Sequence, residues 1–271
     1  MRGEADDDSL SANDGDDTVD GGSGDDKLVA GAGNDTILGQ SGNDRLYGEA
    51  GNDQLYGHNG NDYLSASGGN DLLIGGDGDD QLVGGPDNDQ LGTTGSLVSP
   101  TGTLGQSGDL DPGDDDMNGG SGNDVIVGGS GSDKITAGSG DDFVLGDISL
   151  TSVTSDCTDT ITGDSGDDLI SGGGGVAPYD YCSSHIDGGS GDDLILGGQK
   201  ADTLLGGDGT DVISGQDGND DLDGGAGDGD TVYGNGGNDD LEGGSGVEDI
   251  CNGSSGTDTA GSGCEITTGV P

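Results

Sequence analysis

The chain has 271 residues, 66 of them glycine, and its 56 acidic against 5 basic side chains give a formal charge of -51. Only 26% of residues are hydrophobic and 3% aromatic, too little apolar surface to offset about 1–2 kcal/mol of backbone entropy per ordered residue in a conventional core. That charge repels nucleic acid and anionic lipid and leaves metal cations as the natural counter-charge, while no apolar run approaches the roughly 18 residues that span a bilayer.

The first ten residues, MRGEADDDSL, contain no apolar h-region. The expectation is either a removed targeting segment or a piece of a longer chain. From Gly3 the sequence falls into blocks of nine, for example GQSGNDRLY at 39–47 and GEAGNDQLY at 48–56. The blocks begin at Gly3, Ala12, Gly21, Ala30, Gly39, Gly48, Gly57, Ala66, Gly75 and Gly84. Their sixth residue is Asp8, Asp17, Asp26, Asp35, Asp44, Asp53, Asp62, Asp71, Asp80 and Asp89. Their eighth is always aliphatic, from Leu10 and Val19 to Leu82 and Leu91. Low hydrophobicity with high charge ordinarily marks disorder, but disorder needs no register, so the period decides for a repeat architecture.

Residues 93–109 break the register and read as an inserted loop or a degenerate coil. The acidic position resumes at Asp115, Asp124, Asp133 and Asp142, and again at Asp159 and Asp168, with irregular stretches near 146–158 and 172–187. A third run carries Asp193, Asp202, Asp211, Asp220, Asp230 and Asp239, one residue being added near Asp228. The pattern then decays through Glu248 and Asp258. The expected organisation is a first run over 1–92, the break at 93–109, a continuing run over 110–251 and a C-terminal cap over 252–271.

The first six residues of a block favour turns and left-handed backbone, and the last three suit a very short strand with one side chain inward. Turn and strand, repeated, predict an all-β fold: a flattened right-handed parallel β-roll, a β-solenoid with 18 residues per coil. Residues 18 apart then stack about 4.8 Å apart. Leu46 and Leu55 face each other from the two sheets. The sixth-position aspartates stack in two columns whose bare charges repel. A hard dication relieves that repulsion, and Ca2+ suits a site of carboxylates and turn carbonyls better than Mg2+ with its tight octahedron or Zn2+ with its preference for His and Cys.

The blocks match G-G-x-G-x-D-x-U-x, and the chain resembles the RTX (repeats-in-toxin) calcium-binding proteins. The resemblance implies a parallel β-roll with Ca2+ bound in the turns. Counting aspartate pairs 18 apart within the regular runs predicts about 16 Ca2+ ions. Folding is expected to be driven by the ion.

The four cysteines, Cys157, Cys182, Cys251 and Cys264, form no CxxC zinc pattern, and an even count at wide spacing points to two disulfides and an oxidising compartment. Cys157 and Cys182 stack if 172–187 is one half-coil with a seven-residue insertion, and two short half-coils would put them on opposite sides; the expected pair is Cys157–Cys182. A Cys251–Cys264 bridge would staple the C-terminal end, as solenoids need. The N-terminal end shows no cap, which implies a missing preceding domain or end-to-end stacking on another copy.

No catalytic set stands out. His58 and His185 read as exposed filler, the serines lack a G-x-S-x-G elbow, and acids repeated along a coil do not form a singular glycosidase pair. Tyr47, Tyr56 and Tyr63 read as outward strand or turn residues. Asn recurs at the fifth position, but the third position of those blocks (Ala32, Ser41, Ala50, Asn59, Gly68, Pro86) offers no threonine ladder for ice. The expected function is that of a non-catalytic, secreted bacterial calcium-binding protein. The alternatives are a filament, surface-layer or adhesin subunit built by end-to-end stacking, and a C-terminal module of a larger RTX enzyme or toxin.

Overall fold

The structure, a computed structural model, describes residues 1–92, 113–129, 131–147, 157–173, 182–264 and 266–268. The chain forms an all-β parallel solenoid, divided into two compact units, 1–135 and 136–271. The proposed loop at 93–109 and the last residues of the tail lie outside the described residues. Among the described residues no helix is long and apolar enough to cross a membrane.

In the first unit successive strands alternate between two sheets. One sheet stacks Arg2–Ala5, Thr18–Ser23, Thr36–Ser41, Gln54–Asn59, Leu72–Asp77, Gln90–Gly92 and Val125–Gly129. The other stacks Ser9–Asp14, Lys27–Ala32, Arg45–Ala50, Tyr63–Gly68, Gln81–Pro86 and Asp116–Ser121. All these pairings are parallel, and up to Leu91 they place residues 18 apart side by side, as in Leu28 beside Leu46 beside Leu64; the last pair in each sheet joins residues 35 apart.

The strands are longer than the three residues expected. Arg45–Ala50 is typical: six residues in which Leu46 and Gly48 point inward. The pleat therefore runs on through the first three residues of the next block, and the turn shrinks to residues four to six. Glycine or alanine at position one makes this workable, because the second inward position must admit almost no side chain. Eighth-position side chains fill the rest of the core, and Val19, Ile37, Leu55, Leu73 and Leu91, like Leu28, Leu46, Leu64 and Leu82, are all fully buried.

The irregular stretches leave the stack intact. Gln81–Pro86 pairs directly with Asp116–Ser121, Leu82 lying beside Met117, and Leu91 lies beside Ile126. In the second unit Ile161 lies beside Ile186 and Cys157 beside Cys182, so these two strands are direct neighbours in one sheet. The last coils are one residue longer: Val212 pairs with Thr231 and Thr231 with Ile250.

The disulfide Cys251–Cys264 closes the C-terminal end. Cys251 occupies an eighth-position core site beside Val232 and is fully buried. Ser262 lies across the coil beneath it, its carbonyl accepting from the N–H of Gly243.

The second residue of most blocks has a left-handed φ. Gln40 (84°), Glu49 (80°), His58 (79°) and Ser67 (83°) adopt it without being glycine, a conformation that costs a side-chain-bearing residue about 1 kcal/mol or more. Gln40→Gly is expected to stabilise the protein by about 1 kcal/mol, and Gln40→Val, β-branched, to destabilise it by at least about that much. Thermal unfolding followed by circular dichroism measures both.

Candidate metal centre

Each turn holds its sixth-position aspartate by its neighbour in the stack. The backbone N–H of Asp26 donates to Asp44 Oδ1 at 2.8 Å, that of Asp44 to Asp62 Oδ1 at 2.7 Å, and that of Asp62 to Asp80 Oδ1 at 2.7 Å. The other column repeats this through Asp35, Asp53, Asp71 and Asp89. Both columns cross the long insertion without a gap, since Asp80 bonds to Asp115 and Asp89 to Asp124, each at 2.7 Å. The sequence count of pairs omitted these two steps. In the second unit one column runs Asp142, Asp168, Asp193, Asp211 and Asp230, the other Asp202, Asp220, Asp239 and Asp258.

These aspartates are almost wholly buried, at 0–3% exposure from Asp26 to Asp258. Asp8 and Asp17, in the first coil, are half-buried. The hydrogen bond occupies Oδ1 only. The second oxygen, Oδ2, has no partner in Asp26, Asp35, Asp44, Asp53, Asp62, Asp71, Asp89, Asp168, Asp193, Asp211, Asp220, Asp230 and Asp239. A buried carboxylate oxygen without a donor costs free energy that native proteins rarely leave uncompensated. The position-one glycine lets this oxygen close in: a methyl on Gly39 would meet Asp44 Oδ2 at 2.5 Å and the Gly57 carbonyl at 2.8 Å. Fully buried Ala30 and Ala66 show that some turns adjust to one methyl.

The acid slot that follows Asp230 belongs to Asp249, not Glu248. Asp249 is fully buried and its Oδ1 accepts from the N–H of Gly229 and Asp230, at 3.0 and 3.2 Å. Glu248 is exposed. The turn GGSGVED carries the same extra residue as GGAGDGD one coil before, which moves the slot by one; aligning the two strings would have revealed it.

A second ladder, unforeseen from sequence, runs the other way. Fifth-position side chains accept from the residue one coil later: Asn34 Oδ1 from the N–H of Asn52, Asn43 Oδ1 from that of Asn61, both at 2.8 Å, and Asn52 Oδ1 from that of Asn70 at 2.9 Å. Asp7, Asp16 and Asp25 do the same. The Asn-Asp pair of each block thus binds the coil below with one side chain and the coil above with the other. The fifth-position amide oxygens are committed to the turn.

The donor set is oxygen alone. Among the described residues no three His, Cys, Asp or Glu side chains converge on a metal position, so a cation here takes one or two carboxylates and draws its remaining ligands from turn carbonyls. That suits Ca2+, with six to eight oxygens in flexible geometry. His58 is exposed and lies against Tyr56, ring centroids 6.1 Å apart, and His185 is exposed on a strand. Tyr47 and Tyr63 face outward with centroids 5.8 Å apart, and Lys27 Nζ lies 5.5 Å from the Tyr47 ring.

Burial, reinforced by the charge of neighbouring aspartates and opposed by the backbone hydrogen bond, raises the carboxyl pKa to about 6 in Asp44 and Asp71, about 7 in Asp62, Asp168 and Asp211, and about 8 in Asp89. These folded values lie above the unfolded value, so without divalent cations their contribution to stability is full below about pH 4 and lost as the pH rises through 6 to 8. In EGTA, circular dichroism is expected to show more β-structure at pH 4.5 than at pH 8. A cation-free chain equally folded at both would contradict it.

The family profile described as "RTX calcium-binding nonapeptide repeat (4 copies)" matches residues 1–28, 20–55, 29–64, 56–91, 111–147, 158–176, 184–204, 196–229 and 228–247. No curated protein matches the chain. Among solved structures, the chain is similar to the "X-ray crystal structure of a hyperactive, Ca2+-dependent, beta-helical antifreeze protein from an Antarctic bacterium", with a TM-score of 0.51 and 20% identity over 95% of this chain and 84% of that one. That similarity speaks for the fold. The repeat matches cover most of the chain, which belongs to the RTX calcium-binding nonapeptide repeat family.

Proposed function

We propose that the protein is a non-catalytic, extracellular calcium-binding β-roll whose folding is driven by Ca2+. The observation that carries this reading is the column of buried aspartates such as Asp44, Asp53, Asp62 and Asp71, each with one oxygen bonded to the coil before and the other left without a donor. Residues such as Asp44, Asp53, Asp62 and Asp71 would hold the ions, with turn carbonyls completing the shell. Bound Ca2+ supplies the missing charge compensation; the chain supplies the register. The thin core alone stabilises too little to order nine residues per half-coil, so binding free energy becomes folding free energy. Two disulfides favour an oxidising compartment, and extracellular calcium would delay folding until export.

The structural neighbour's antifreeze activity belongs to that protein. Here the third-position residues form no threonine ladder and the fifth-position amide oxygens are bound within the turns, so thermal hysteresis is expected to be absent.

Calcium titration after EGTA treatment is expected to convert an unfolded far-ultraviolet spectrum into a β-spectrum; a spectrum indifferent to Ca2+ would sink the reading. Asp62→Asn separates charge from hydrogen bonding, because the amide oxygen still accepts from the N–H of Asp44. It is expected to stabilise whatever structure persists without Ca2+ and to destabilise the calcium-loaded protein by about 1–3 kcal/mol, with fewer ions bound by equilibrium dialysis.

A further inference from the structure

Two half-coils of the second unit depart from the turn design at the same place. The strands Cys157–Ser165 and Cys182–Ser190 have nine residues each, where the typical strand has six. They begin at the position that elsewhere holds the fourth residue of the turn, a left-handed glycine such as Gly191 (139°) or Gly209 (153°). Extended backbone and a cysteine replace that glycine in both. The paired register is Cys157 with Cys182, Thr158 with Ser183 and Asp159 with Ser184.

Ser184 therefore stands in the acid slot. It is 4% exposed, and its N–H donates to Asp202 Oδ1 at 2.7 Å as an aspartate's would. A methyl on Gly172 would collide with its Oγ, just as one on Gly146 would meet Asp159 Oδ2 at 2.5 Å. The slot is built, but it brings no carboxylate. The neighbouring Thr158 and Ser183 hydroxyls, 3.1 Å apart, add no charge. Two residues upstream, across this same step, lies the Cys157–Cys182 disulfide, with α-carbons 4.5 Å apart.

We propose that this disulfide takes the place of a cation at the Asp159/Ser184 step, so that folding of the second unit answers to two conditions at once, divalent cation and oxidising surroundings. The inference rests on the calcium reading above. A step with one carboxylate and no glycine turn on either strand lacks the oxygens that Ca2+ requires. The stack is tied there by a bond that needs no ion. Closing it removes two electrons and two protons from the two thiols and passes them to a partner disulfide, which becomes two thiols, by thiol–disulfide exchange. In a reducing, calcium-poor compartment neither clamp forms.

Hydrogen exchange read by mass spectrometry on the full chain at saturating Ca2+ tests this. In the Cys157→Ser/Cys182→Ser double variant, strands 157–165 and 182–190 are expected to exchange at least about tenfold faster than in the oxidised wild type. Peptides from 1–135 should stay protected, and tenfold more Ca2+ should restore nothing. Unchanged exchange in the two strands, or recovery with added Ca2+, overturns the proposal. Should the double variant fail to fold, ion counting decides: Ser184→Ala is expected to leave the number of bound Ca2+ unchanged while Asp220→Ala lowers it, and a lower count for Ser184→Ala overturns the proposal. Wild-type peptides whose protection nowhere depends on Ca2+ would instead refute the calcium reading itself.

Discussion

The structure depends on one half-satisfied carboxylate. Each sixth-position aspartate is pulled into the turn by a backbone N–H from the coil before, and that bond uses only one of its two oxygens. The other oxygen is trapped in a space from which water is excluded. The arrangement holds a negative charge in place at the cost of leaving it uncompensated, which a low-dielectric interior punishes. Calcium binding answers that cost, and the sixth-position aspartates make up a large share of the chain's 56 acidic residues.

The glycines follow from the same constraint. Position one must admit the carboxylate oxygen beside an inward-facing α-carbon, and position four stacks so closely on the turn below that a methyl on Gly42 or Gly60 would strike backbone. The second ladder follows as well. With the aspartate N–H committed in one direction along the stack, the fifth-position Asn or Asp reaches in the other, and the two together pair the turn's backbone groups with neighbouring coils. This polar spine does much of what a hydrophobic core does in an ordinary domain, where side-chain burial alone sets the register.

Because each rung needs only its neighbours, departures are tolerated wherever they leave pairing undisturbed. The long insertion sits between strands that still pair directly. The one-residue expansion of the last coils moves the acid slot from Glu248 to Asp249 without breaking the column. Where turn and carboxylate are both lost, at Cys182 and Ser184, a covalent bond spans the gap. Near the C-terminal end a core cysteine, Cys251, is tied to Cys264 just before the strand Ile266–Thr268 that stacks on it.

The sequence by itself determined what is local and repeated. The nine-residue period, the two aspartate columns, the aliphatic at position eight and the left-handed glycines are all consequences of neighbours within one block, and Leu46 and Leu55 read as core from spacing alone. Tertiary structure decided what depends on residues 18 or more apart. The strands became six residues long because inward glycine lets the pleat continue between two close sheets. The direction of each ladder and the serine in an aspartate's slot emerged only when coils were laid on one another, and the stack decided between the two readings of Cys157 and Cys182. A hydrogen bond from Asp80 to Asp115 leaves no trace in local pattern; it exists because the stack, not the chain, makes them neighbours.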